Sequence, residues 1–125
     1  MNKKVETEKL RELEIKTGAI YLYIVGSYFF LNSIHKQKQS LLSNTPLNEK
    51  EVHNLNIAGS YSILIADVVF LYYSLKELEE QLAKRPKRQD NKLLRRKYNL
   101  LYADLLDFLG SLYTVFNTHE GADPL

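Results

Sequence analysis

The chain has 125 residues, a formal net charge of +2 and no cysteine. This length corresponds to a single domain, and the lack of cysteine excludes disulfides, iron–sulfur clusters and thiolate zinc sites. Charged residues make up 26% of the chain, but they concentrate in residues 2–16, 35–53 and 76–97. Long stretches between these regions are nearly free of charge, so the position of the charges tells more than their sum.

The first predicted helix covers about residues 3–42. One face repeats at alternating steps of three and four, as expected of an α-helix. That face consists of Leu10, Leu13, Thr17, Ile20, Ile24, Ser27, Leu31 and Ile34. The N-terminal residues alternate acid and base and do not resemble a cleaved signal peptide.

The second predicted helix covers about residues 48–85 and follows a break at residues 43–47. Asn48 is expected to cap it, with Glu51 at the third helical position, and Pro86 is expected to end it. An apolar seam is predicted to be its partner-facing edge. The seam consists of Ile57, Tyr61, Leu64, Val68, Leu71, Leu75, Leu78 and Leu82. A stripe of small residues also repeats every four positions and favours close approach of another helix: Ala58, Ser62 and Ala66.

The third predicted helix covers about residues 91–118, after a second break at 86–90, with Asp90 or Asn91 as its cap. Its seam consists of Leu94, Tyr98, Leu101, Leu105, Phe108, Leu112 and Val115. Because both breaks are short, successive helices should be antiparallel neighbours. The sequence therefore predicts one all-α domain over residues 1–125, a bundle of three long helices running up, down and up.

The middle of each helix is apolar on more than one side. Outward positions there are expected at Leu22, Val25, Phe29, Ser62, Ile63, Ala66, Val69, Phe70, Tyr73, Ala103, Leu106, Gly110 and Tyr113. Three helices cannot bury this much apolar surface among themselves, so lipid or further copies of the chain must cover the rest. The apolar segments 17–34, 55–75 and 100–117 are close to the ~20 residues that cross a ~30 Å hydrocarbon core. This favours a membrane-embedded central band.

The basic residues are distributed asymmetrically about these segments. Fourteen of the 17 Lys and Arg precede the first segment or lie between the second and third. This bias predicts a cytoplasmic membrane protein with its N-terminus inside. The segments are only moderately hydrophobic, however, and the third contains two aspartates. A soluble homo-oligomeric bundle in the cytoplasm is therefore the alternative.

Three carboxylates fall within the apolar segments: Asp67, Asp104 and Asp107. Antiparallel pairing is expected to bring Asp67 and Asp104 to similar depth, where two buried carboxylates can hold a proton or a cation. The competing interpretation is that they accept hydrogen bonds from tyrosines or pair with a partner's Lys or Arg. In a soluble protein they would face water.

Three histidines are expected at one end of the bundle: His35, His53 and His119. They are metal candidates, although no pair has the spacing of a zinc motif, and solvated histidines are the commoner explanation. A basic patch lies around the second break, at Lys84, Arg85, Lys87, Arg88, Lys92, Arg95, Arg96 and Lys97. It is suited to anionic lipid, whereas nucleic acid is not expected because no base-reading face accompanies it.

No sequence motif for nucleophilic catalysis, phosphate binding or a catalytic metal is found, so neither an enzyme activity nor a cofactor is predicted. The expected role is that of an accessory or assembly subunit of a membrane complex. Such a protein would associate with itself or with partner helices through its seams. A scaffold or adaptor is the soluble alternative, and an ion- or proton-handling subunit is the other membrane alternative.

Overall fold

The computed structural model describes residues 2–84, 86 and 90–120. Over these residues it contains three helices, α1 (Lys3–Ser43), α2 (Glu49–Leu82) and α3 (Asn91–His119). The predicted all-α bundle is confirmed. With 41 residues, α1 is about 60 Å long, and it extends well beyond α3, which has 29 residues.

Side chains at the helix ends explain where the helices begin and stop. The Asn48 side chain accepts a hydrogen bond from the Glu51 backbone N–H at 3.2 Å, as predicted. The Asp90 carboxylate accepts from Lys92 and Leu93 at the start of α3. These contacts satisfy N–H groups that have no partner within the helix. α2 ends at Leu82, before the expected end near residue 85, and Arg85 lies outside the described residues.

The central helix, α2, packs against both of the others. Within the described helices, no Cα of α1 lies within 8 Å of a Cα of α3. Both outer helices therefore depend on α2 for their position.

Small residues form the contact between α1 and α2. The buried residues of α1 recur every seven positions: Glu12, Ala19, Gly26 and Ser33. A Cβ added to Gly26 would lie 2.8 Å from Ile63 Cγ1 and 3.0 Å from the Gly59 carbonyl oxygen. Because real Cβ atoms do not approach other atoms so closely, the helix separation here depends on glycine.

Polar residues form the contact between α2 and α3. On α2 they are Ser60, Asp67 and Ser74, all buried. On α3 they are Asp104, Ser111 and Thr118, also seven positions apart, of which Thr118 is 1% exposed. This interface is held by hydroxyl and carboxylate groups in addition to its packing.

The apolar seams do not join the helices to one another, so that expectation is wrong. All eight residues of the α1 seam are exposed. On α2 only Leu78 is buried, while Tyr61, Val68, Leu75 and Leu82 are exposed and the rest are half-buried. On α3 only Val115 is buried. Small and polar residues occupy the interfaces, which turns the large apolar side chains outward.

Two of the positions expected to face outward are in fact buried. Ala66 is 0% exposed and Tyr73 is 7% exposed, because both lie on the packed side of α2. The expectation holds better elsewhere: Leu106 and Tyr113 are each 70% exposed, and Val25 is 43% exposed. Leu22 and Phe29 are half-buried.

The total surface is large for a chain of this mass. The accessible area is 9297 Å² for 14.6 kDa, whereas a compact soluble monomer of that mass exposes about 6900 Å². The elongated shape contributes to the difference. Much of the extra surface belongs to large apolar side chains in the middle of the helices, such as Ile24, Leu31 and Ile65.

Candidate functional site

Asp67 lies at the centre of the bundle and links all three helices. It is 4% exposed. The Tyr23 hydroxyl of α1 donates a hydrogen bond to Oδ1, and the Ser111 hydroxyl of α3 donates to Oδ2. Both oxygens act as acceptors, which is the role of an ionised carboxylate. None of the ion pairs among the described residues includes Asp67.

The other two aspartates do not join Asp67 in a cluster. Asp104 is half-buried and accepts a hydrogen bond from the Ser74 hydroxyl of α2. Since Ser74 follows Asp67 by seven residues, Asp104 lies about 10 Å farther along the bundle than Asp67. Their expected similar depth is therefore wrong. Asp107 is exposed.

An open groove runs between α1 and α3, with α2 as its floor. Its volume is about 520 Å³. It is lined by Tyr23, Phe30, Ser60, Ile63, Asp67, Leu106, Asp107, Gly110, Ser111 and Thr114. Apolar and aromatic walls with a few polar groups are typical of ligand-binding clefts of this size.

Neighbouring aromatic residues support the position of Tyr23. Its ring stacks on Phe70 of α2, with centroids 5.9 Å apart. The ring and the hydroxyl are therefore both held by α2. Because the two contacts fix both ends of the side chain, Tyr23 forms a rigid part of the groove wall.

A second polar cluster lies at the charged end of the bundle. The Glu77 carboxylate of α2 pairs with Lys16 of α1 at 3.0 Å and with Lys97 of α3 at 2.7 Å. Glu12 also lies 3.2 Å from Lys16. Burial opposes the charged form of Glu77, but the hydrogen bonds from Lys97 and Lys16 outweigh it and lower its pKa to about 2. The cluster therefore links the three helices at neutral pH.

The histidine candidates are separate in their contacts. His119 Nε2 forms a hydrogen bond with the Tyr61 hydroxyl, and the two rings meet edge to face. His35 is exposed and His53 is half-buried. No group of three or more potential metal ligands occurs among the residues that the structure describes.

Part of the basic patch can be placed. Lys92, Arg95 and Arg96 are exposed at the start of α3, and Lys84 is exposed just after α2. Lys97 instead pairs with Glu77. Arg85, Lys87 and Arg88 lie outside the described residues.

Sequence reasoning identified Asp67 but missed its partners. It considered other tyrosines, Tyr21, Tyr72 and Tyr102, whereas the structure places Tyr23 and Ser111 on the carboxylate. The available signal was a seven-residue repeat of polar residues, Asp104, Ser111 and Thr118 on α3, in step with Ser60, Asp67 and Ser74 on α2. A repeat of that length marks one side of a packed helix.

Comparisons with family models, curated proteins and solved structures give no match to this chain. By length and composition, α1 and α2 are each apolar enough to cross a membrane. A buried core helix of a soluble protein meets the same criterion.

Proposed function

We propose that this chain is a small, non-enzymatic membrane protein that serves as an accessory or assembly subunit. Its large apolar side chains would contact lipid and the helices of partners or of further copies of itself. The seams of α1 and α2 would provide those helix contacts.

The observation that carries this proposal is the exchange of residue types between inside and outside. The interior contacts use Gly26, Gly59, Ala19 and Ser33, whereas large residues such as Leu31 are 64% exposed. In lipid, helices gain little by burying large apolar groups against each other, so small residues that allow close packing form the interfaces. In water the same arrangement would leave the apolar side chains unprotected.

The distribution of positive charge supports an orientation with the charged end in the cytoplasm. Exposed Lys92, Arg95 and Arg96 belong to that end. They would lie near the headgroups and attract anionic lipid.

Membrane fractionation tests the proposal directly. After a wash with alkaline carbonate, the expressed chain should stay in the membrane pellet and should enter solution only with detergent. Release by the carbonate wash, followed by solubility without detergent, would contradict membrane insertion. Cysteine labelling at positions 92 and 47, from the two ends of the bundle, would then report orientation in intact cells.

A soluble homo-oligomeric scaffold is the second candidate. It is favoured by the exposed apolar residues that continue beyond the central segments, including Leu10, Leu13 and Leu82. Such a face is suited to coiled-coil contacts between copies. Light scattering of the detergent-free protein would show a defined oligomer if this alternative holds.

An ion- or proton-handling subunit is the third candidate, and it requires membrane insertion. It is favoured by the position of Asp67, which is buried and has no cationic partner among the described residues. Replacement Asp67→Asn should then abolish transport while leaving expression unchanged.

A further inference from the structure

We propose that the groove between α1 and α3 binds a small organic cation, an ammonium group attached to an apolar or aromatic body. The site consists of the Asp67 carboxylate at the floor, the rings of Tyr23 and Phe30 on one wall and Asp107 on the other. This inference does not depend on whether lipid or water surrounds the bundle.

The first argument is the uncompensated negative charge. Asp67 is 4% exposed, and its hydrogen bonds come only from the neutral hydroxyls of Tyr23 and Ser111. Asp107 adds a second carboxylate to the lining, and no Lys or Arg is among the lining residues. A buried charge without a counter-charge is costly, so a cation entering here gains from a charge that the fold has already placed.

The second argument is the chemistry of the walls. Phe30, Ile63 and Leu106 give the groove an apolar lining. Aromatic rings attract cations over their faces when the cation lies within about 6 Å of the ring centre. A strongly hydrated metal ion would gain nothing from these walls, whereas an organic cation gains from both the carboxylate and the rings.

The third argument is size. A groove of about 520 Å³ falls in the range of small-molecule sites. It is far larger than a bare metal ion requires. A whole α-helix, about 10–12 Å wide with its side chains, would need much more space. A lysine side chain from a partner helix is a different occupant, and the test below distinguishes it.

The test uses the full chain, purified in detergent or in buffer as its solubility requires, and titrated with 2-phenylethylamine at neutral pH. We expect saturable binding with one site per chain. The uncharged analogue 2-phenylethanol has the same aromatic body, and it should bind at least about tenfold more weakly because a hydrogen bond to a charged group contributes about 1.5–3 kcal/mol. Titration of protein-free detergent micelles corrects for partitioning.

Two pairs of matched variants locate the site. Asp67→Asn should weaken amine binding about tenfold or more, whereas Asp104→Asn, whose carboxylate bonds a serine at the same interface but does not line the groove, should change it little. Gly110→Leu should block the groove, because Gly110 lines it and a Cβ there meets no atom within 4 Å. Gly18→Leu is the control, since that position is equally open but lies elsewhere.

Equal binding of the amine and the alcohol would overturn the proposal, as would equal effects of Asp67→Asn and Asp104→Asn. Absence of saturable binding would also overturn it, and would favour a partner's lysine as the natural occupant. Circular dichroism establishes that each variant is folded. If Asp67→Asn does not fold, the comparison of amine with alcohol on the unaltered chain, together with Gly110→Leu, still decides the question.

Discussion

α1 and α3 both pack on α2, but the two contacts rely on different groups. At the α1–α2 contact, Gly26 faces Gly59, and the backbones come so close that a Cβ on either would meet a carbonyl oxygen at 3.0 Å. At the α2–α3 contact, Asp67 accepts from Ser111, and Ser74 donates to Asp104. The first contact is limited by volume and the second by hydrogen bonding. Mutations should therefore affect them differently.

The largest effect should come from adding volume at the glycine contact. Gly26→Leu should lower the free energy of unfolding by about 3 kcal/mol, because backbone and side-chain atoms of α2 occupy the space that it needs. In Gly18→Leu the new side chain meets open space, and this control should raise stability by up to about 1 kcal/mol through helix propensity. Denaturant titration followed by circular dichroism compares the two. Equal stability of both variants would contradict a volume-limited contact.

Removing the central carboxylate should have the next largest effect. Asp67→Ala leaves the hydroxyls of Tyr23 and Ser111 without their acceptor, and should cost about 2 kcal/mol of unfolding free energy. Asp107→Ala is the control, because Asp107 is exposed, and it should change stability by no more than about 0.5 kcal/mol. The same denaturant titration measures both.

Removing a hydroxyl donor sharpens the comparison further. Ser111→Ala should cost about 1.5 kcal/mol, since a hydrogen bond to a charged group is lost and Asp67 keeps only Tyr23. In an Asp67→Ala background the same replacement should cost close to nothing, giving a coupling of about 1 kcal/mol. Additive effects in this double-mutant cycle would show that the two side chains do not interact.

The charged cluster predicts a pH dependence. Because the folded-state pKa of Glu77 is lowered to about 2, its contribution is present above its ordinary pKa near 4.5 and is lost as pH falls from there through about 2. After allowance for solvent screening, we expect about 1 kcal/mol. The stability difference between the unaltered chain and Glu77→Gln should therefore be largest near neutral pH and should disappear in strong acid. A difference that does not vary with pH would exclude this role for the carboxylate.

The smallest effect should occur at the surface contact of α2 with the end of α3. Tyr61→Phe removes the hydroxyl that bonds His119, but both side chains are exposed, so we expect a loss of about 0.5 kcal/mol or less. The imidazole resonances of His119 in an NMR spectrum should nevertheless shift. Unchanged resonances would show that the contact does not form in solution.

The helices and their ends were predictable because the signals are local. Asn48 and Asp90 cap helices by bonding N–H groups two or three residues away, which a sequence reveals directly. The end of α2 was less well predicted, since the constraint from Pro86 limits where a helix can stop without requiring that it continue so far.

The packed faces were not predicted, because large apolar residues were assigned to the interfaces. That assignment follows from burial in water, where the largest apolar groups gain most from contact. Here Gly26 and Ser33 are buried while Ile24 and Leu31, on the same helix, are exposed. The stripe of Ala58, Ser62 and Ala66 did point towards close helix approach, and Ser62 Cβ does lie next to Gly26. Asp67 could be selected by its isolation among apolar residues, but its hydrogen-bond donors come from other helices and have no local signal.

The lack of direct contact between α1 and α3 has a consequence for biogenesis. Every contact between helices joins elements that are neighbours along the chain, so the molecule consists of two hairpins that share α2. The first hairpin needs nothing from α3, and it can form while the ribosome is still synthesising the C-terminal part. The groove would then be created last, when α3 closes its second wall.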